Sequence, residues 1–262
     1  MSFVNTYTPP PAPAALADAE LFGPEPYDVN FVFPILPASL ENDRVKLVPF
    51  IPREHGEAYF TAGSADAQLW RYYPLVWRDL RGFLTWLEHG VRQNPAHVYF
   101  AVLDKTRPDA ARPHWGGSLA GAFGLFNASA ANLCAEIAYI AVLPGFQRSH
   151  VASNAVGILM RYCLELPTAS PPGLGLRRVQ WCAHTKNLPS ARLAERMGFK
   201  REAWIRWLWV LPKELSSDGE KPREGDKWPE RYGRHTLMLS TCWDDWEDGV
   251  REIVQKQVDR TA

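Results

Sequence analysis

No lysine or arginine precedes Arg44, so the opening stretch has neither the basic start of a secretory signal nor the arginine-rich character of a mitochondrial one. The cytoplasm is therefore the expected compartment. Long apolar runs are missing too, which argues against a membrane span. Cysteine is scarce. The four thiols, Cys134, Cys163, Cys182 and Cys242, lack the close pairing of a zinc site, so no metal is expected and reduced intracellular thiols are the simpler reading. Neither sign of charge is in excess, with 29 basic and 29 acidic residues, and no overall field recruits nucleic acid or an anionic membrane. No segment repeats. What the chain has in quantity is apolar side chains, 46% of 262 residues, enough for a sizeable core in one large domain or two small ones.

Residues 1–40 read as a proline-rich extension that cannot be regular helix or sheet throughout. Its segment Phe31-Val-Phe-Pro-Ile-Leu is apolar enough to pack against a sheet edge or a second subunit. Strands are predicted at Asp43–Pro49, Val98–Leu103, Ser118–Phe126, Ile137–Leu143, Val179–Ala183, Trp204–Leu211 and Thr236–Ser240, with helices at Pro52–Ala62 and Leu80–Val91 between the first two. Trp204, Trp207 and Trp209 are expected to place at least one face in the core, or to wall an aromatic pocket. The polar insert Pro212–Gly233 reads either as a solvated loop or as a lid. Residues 242–262 read as a C-terminal amphipathic helix capped by Thr241, with Trp243, Trp246, Val250, Ile253, Val254 and Gln257 on one face.

The most informative stretch runs from Glu136 to Ala152. An apolar, β-branched strand is stopped by Pro144-Gly145, and Ala155, Val156, Leu159, Met160 and Cys163 then recur at helical spacing. The connection Gln147-Arg148-Ser149-His150-Val151 thus lies at a helix N-terminus, where unspent backbone N–H groups and the helix dipole favour an anion such as a pyrophosphate.

This junction resembles motif A of the GNAT acyltransferase superfamily, Arg/Gln-x-x-Gly-x-Gly/Ala, on Gln147, His150 in place of the first glycine, and Ala152. Asn187-Leu-Pro-Ser190 followed by a short helix ending at Gly198-Phe199 resembles motif B. In this order and spacing the two are similar to the branch related to ribosomal-protein N-terminal acetyltransferases. The resemblance implies an α/β (α+β) domain over residues 41–241: a mixed twisted sheet with a splay between the fourth and fifth strands, and flanking helices. It implies acetyl-CoA as cosubstrate and direct transfer in a ternary complex to the primary amine of a small molecule or a peptide N-terminus. The acceptor is expected to be a small molecule, with no nucleic acid or membrane partner and with room for a homodimer.

For site residues, the resemblance implies that Gln147, Arg148, Ser149, His150, Val151 and Ala152 hold the pyrophosphate, that the backbone of Ile140, Ala141 and Val142 pairs with the pantetheine arm, and that Asn187 bonds the same arm. Glu136 matches a glutamate that serves some members as general base through water. Ser190 either protonates the departing thiolate or only supports a helix capped by Asn187. His184 either assists Glu136 or does neither, and Cys182 two residues away lacks an orienting acid for a nucleophile reading. A side chain at His150, where glycine lets a phosphate approach, must point outward or add a contact. The rival reading is a non-catalytic acyl-CoA-binding or interaction protein whose cradle His150 blocks.

Overall fold

The computed structural model describes residues 1–11 and 13–260. Its elements follow one another as β1 (Val45–Pro49), α1 (Glu57–Ser64), α2 (Leu80–Trp86), β2 (Val98–Asp104), β3 (Ser118–Ser129), β4 (Cys134–Val142), α3 (Val151–Leu164), β5 (Arg178–His184), α4 (Leu188–Arg196), β6 (Lys200–Val210), β7 (Gly233–Cys242), α5 (Trp243–Asp245) and α6 (Arg251–Val258). The seven strands form one mixed sheet in the order β1-β2-β3-β4-β5-β7-β6. Every pairing is antiparallel except β4 with β5.

The sheet separates two apolar cores, which is why β2 is buried along its whole length and lacks the alternation of a half-exposed strand. One core holds the apolar stripe of α3 (Val151, Ala155, Val156, Leu159) with Val179 and Trp181 of β5. The other packs Tyr59 of α1 and Phe83 and Leu84 of α2 against Tyr99, Ala101 and Phe126. Helix α2 starts where the Asp79 carboxylate accepts the Gly82 N–H at 2.7 Å. Helix α6 lies close on α3 because residue 157 is glycine: a Cβ there would stand 2.6 Å from a Val258 methyl.

The N-terminal extension packs on its own chain. Phe31, Phe33 and Ile35 rest on the α3-side core, and Tyr162 donates to the Pro34 carbonyl at 2.6 Å. The C-terminal helix departs from expectation. Asp245 reaches back to the Cys242 N–H at 3.1 Å, so the cap is Cys242, one residue past Thr241, and Gly249 at φ 103° breaks the helix. That break resets the helical phase, so Trp246, Val250, Val254 and Val258 are buried while Trp243 and Ile253 face solvent. Strand β6 also departs from expectation. It is the last strand of the sheet and no helix covers it, so Trp204, Trp207 and Trp209 are all exposed and neither face lies in the core. Among the described residues no helix is long and apolar enough to cross a membrane.

His55 gives the fold an acid-sensitive point. Its ring is buried between Phe50 and Trp115, Nδ1 accepts the Ile51 N–H at 3.0 Å, and burial pushes the pKa down to about 4 against a weaker upward pull from Glu54. The folded state therefore prefers the neutral ring, whereas an unfolded histidine charges below roughly pH 6.5. Stability is fully present above that pH and is lost as pH falls from 6.5 toward 4, by roughly 2–4 kcal/mol for this residue. Denaturant midpoints at pH 7 and pH 4.5 should converge in His55→Gln relative to wild type, and an unchanged pH dependence would remove His55 as the cause.

Candidate active site

The β4–β5 ladder is short. It pairs Cys134 with Arg178, Ala135 with Val179 and Glu136 with Gln180, and then stops, although β4 continues to Val142 and β5 to His184. The two strands diverge from Glu136 onward and open a fork in the middle of the sheet. A bulge helps to open it: the β3–β4 register slips between Ala122 and Gly124, and Tyr139 sits at φ 49°, a conformation that an aromatic residue adopts only under constraint. Tyr99 supplies that constraint in part by donating its hydroxyl to the Tyr139 carbonyl at 3.3 Å, while Trp86 packs on the Tyr139 ring at 5.0 Å. Leu143 N–H bonds back to Ala120 of β3, so the Val142 amide one residue earlier faces the fork.

Glu136 stands at the branching point, 8% exposed. Its Oε2 accepts from Asn127 Nδ2 at 2.9 Å and from Gln180 Nε2 at 3.2 Å. Asn127 reaches it from a second irregularity, at φ 50° where the β3 register slips again, a conformation asparagine tolerates. The Cys182 thiol lies beside this carboxylate, and burial together with that negative charge pushes its pKa up to about 12. A thiol held protonated is a weak nucleophile, which argues against the Cys182 and His184 pairing.

Above the fork, the loop from Pro144 to His150 leads into α3. The first bond of the helix ladder is Asn154 N–H to the His150 carbonyl, so the amides before it are not spent on the helix. Ser149 Oγ donates to the Phe146 carbonyl at 2.5 Å and accepts the Val151 N–H at 3.3 Å, and Gln147 Nε2 donates to the Val142 carbonyl at 3.1 Å. Arg148, at φ 56°, is exposed. The His150 side chain turns into the protein, where Nε2 meets Oδ1 of the fully buried Asp104 at 3.2 Å. It leaves the loop face to backbone, as glycine would, and adds no steric block.

On the far side of the fork, Asn187 caps α4 by accepting the Ser190 N–H at 3.3 Å, and Ser190 Oγ accepts the Trp181 indole N–H at 3.0 Å. The Ser190 hydroxyl proton stays free to donate. His184 is 4% exposed, and its Nδ1 accepts the Lys186 N–H at 3.0 Å, which places the ring proton on Nε2. Burial, then Arg234 and Lys186, pushes its pKa down to about 4. At neutral pH His184 therefore presents a neutral donor and is not a ready proton acceptor.

The insert between β6 and β7 is folded upon itself. Ser216 Oγ bonds the Pro212 and Glu230 carbonyls at 3.3 and 3.0 Å, and accepts the Tyr232 N–H at 3.1 Å. It is tied to the segment between α1 and α2 by a two-pronged ion pair of Arg71 with Asp218, at 2.9 and 2.7 Å, and by Arg78 with Glu214. Asp218 lies by His184, which brings the insert next to the end of β5.

Sequence reasoning missed Asn127, Gln180, Asp104, Thr236 and Arg234. A signal existed for some of them: β5 alternates apolar Val179, Trp181 and Ala183 with polar Gln180, Cys182 and His184, and that polar stripe is the face turned to the site.

The sequence model of the "Acetyltransferase (GNAT) domain" matches residues 44–200. No curated protein sequence matches the chain. Among solved structures, a GCN5-related N-acetyltransferase from Brucella melitensis is 26% identical over 83% of this chain and 83% of its own, with a TM-score of 0.63. The fold is also that of Mycobacterium smegmatis RimJ in complex with CoA-disulfide (16% identity, 81% of this chain, 88% of that one, TM-score 0.57). It is shared by Vibrio cholerae spermidine N-acetyltransferase in complex with CoA and spermine (14% identity, 79% of this chain, 99% of that one, TM-score 0.55).

Proposed function

The chain belongs to the GNAT acetyltransferase family, and from that premise we propose that it moves an acetyl group from acetyl-CoA to the primary amine of a small molecule or a peptide N-terminus, directly and within one ternary complex. The observation that carries this reading is the fork: a β4–β5 ladder that ends at Glu136 and Gln180, with a buried carboxylate at its apex and a helix N-terminus above it.

The residues divide the work. The loop from Gln147 to Ala152 takes the pyrophosphate through the helix dipole and the unengaged N–H groups of Arg148, Ser149, His150 and Ala152, with the Arg148 side chain beside them. The backbone of Ile140, Ala141 and Val142 pairs with the pantetheine arm and polarises the thioester carbonyl, with the Val142 amide facing the fork and Ala141 held on its β3 side. Asn187 bonds the same arm. Glu136 takes one proton from the substrate ammonium through water, the neutral amine then attacks, the carbon–nitrogen bond forms as the carbon–sulfur bond breaks, and the amine's second proton replaces the one that Ser190 gives to the departing sulfur. His184 holds its Nε2 proton toward the acceptor side and orients the substrate.

Because acetyl-CoA would bind only the folded chain, it should raise the melting midpoint. Saturation at about 100 times the dissociation constant adds about 2.7 kcal/mol. Ala152→Glu should abolish the rise without unfolding the chain, since a carboxylate suits the first turn of a helix but repels a phosphate. No rise in wild type would end the transferase reading. A rise that Ala152→Glu leaves intact would move the cofactor elsewhere.

A further inference from the structure

The acceptor side of the fork contains a buried guanidinium that has no hydrogen-bonded or ion-paired partner among the described residues. Arg234 of β7 is 5% exposed and its Nε is buried without a partner. Among the described residues no ion pair or hydrogen bond holds its guanidinium. Burial pushes its pKa down, and the groups that pull it back are Cys182, Tyr139 and Glu136, which places it at the apex of the fork. An unpaired buried charge costs several kcal/mol, and a folded protein retains one where a ligand supplies the counter-charge.

Neither nearby carboxylate contacts the Arg234 guanidinium, although Glu136 attracts it at longer range. Asp218 gives both oxygens to Arg71, and Glu136 accepts from Asn127 and Gln180. Other unsatisfied atoms lie alongside. Thr236 Oγ1 is two residues from Arg234 on the same face of β7, and Thr236 pairs across the sheet with His184, whose Nε2 is also unpaired. The Tyr73 hydroxyl is a further orphan, its ring 5.3 Å from that of Tyr139. Every one of these groups can donate a hydrogen bond and none is an acid ionised at neutral pH. With Glu136 as the one carboxylate that attracts it and neutral donors beside it, the guanidinium keeps its planar fork open to the carboxylate of a ligand.

The geometry points to Arg234, with His184 Nε2–H and Thr236 Oγ1–H beside it, as the receptor for a carboxylate on the acceptor, so that the substrate class is a small amine that itself carries a carboxylate. This rests on the transferase reading above and fixes the orientation within it: carboxylate toward Arg234, amine toward Glu136 and the thioester.

The test is thiol release from acetyl-CoA by the full chain with α- and ω-amino acids of graded amine-to-carboxylate separation, their carboxamides, the matching alkylamines and an aminoalkyl phosphate. Carboxylate-bearing acceptors should exceed their carboxamides by about 100-fold or more in kcat/KM. Arg234→Gln should erase that ratio through KM while keeping the rise in melting midpoint that acetyl-CoA produces, and Arg234→Lys should restore part of the ratio. The preference is read first on wild type, so a variant that fails to fold leaves the result standing. Equal use of carboxamides, no release with any carboxylate-bearing member, a preference for the phosphate, or loss of acetyl-CoA binding in folded Arg234→Gln would each overturn the assignment. If acetyl-CoA does not raise the wild-type midpoint, the transferase reading falls and the carboxylate site with it; a rise without carboxylate preference sinks the carboxylate site alone.

Discussion

Glu136→Gln should slow amine acetylation by about 100- to 10,000-fold while acetyl-CoA still raises the melting midpoint as it does in wild type. The fold should tolerate the change because both hydrogen bonds to this side chain, from Asn127 and Gln180, converge on the same oxygen, Oε2. A glutamine carbonyl oxygen can accept both, and only the basicity is lost. The site is also built to keep the group in place: a bulge at Asn127 and the last rung of the β4–β5 ladder aim two amides at it. Single-turnover thiol release separates the outcomes. A variant with wild-type turnover would reduce Glu136 to an ordinary strand acid and leave the site without its base, whereas loss of acetyl-CoA binding would assign the carboxylate to cofactor positioning.

Trp181→Ala should cost about 3–5 kcal/mol, the range for removing a large buried aromatic side chain. Trp181 is 1% exposed, packs edge-on to Phe199 at 5.6 Å, and ties β5 to α4 through its bond to Ser190 Oγ. Its loss therefore empties the core under the far arm of the fork and unfastens the helix that Asn187 caps. The smaller substitution Ser190→Ala orphans the buried indole N–H and should cost about 1–3 kcal/mol. Urea denaturation measures both. Wild-type stability in Ser190→Ala together with a slowed thiolate departure would give the hydroxyl a purely chemical role; loss of stability at unchanged turnover would make it a structural acceptor for Trp181 alone.

Much of the architecture was legible along the chain. The Pro144-Gly145 stop and the helical spacing after it placed the junction between β4 and α3, and Asn187 capped α4 as its sequence context implied. These are local matters of turn chemistry, capping and period, which act within a few residues. The direction of His150 was not legible, since its partner Asp104 ends a strand far away in sequence. The exposure of the β6 tryptophans was not legible either: an apolar strand composition predicts burial only if something packs on the strand, and among the described residues this edge strand stays exposed.

The sequence by itself determined the order of strands and helices, the two motifs and hence the family, because periodicity and turn residues are written in consecutive positions. Only the tertiary structure decided where the β4–β5 ladder stops, which amides hold Glu136, and that Arg234 is buried beside His184 and Thr236 with its Nε unpartnered among the described residues. The physical reason is register. A site at a fork draws its groups from β3, β4, β5 and β7, and a one-residue slip in any of these pairings would turn its side chain to the opposite face of the sheet.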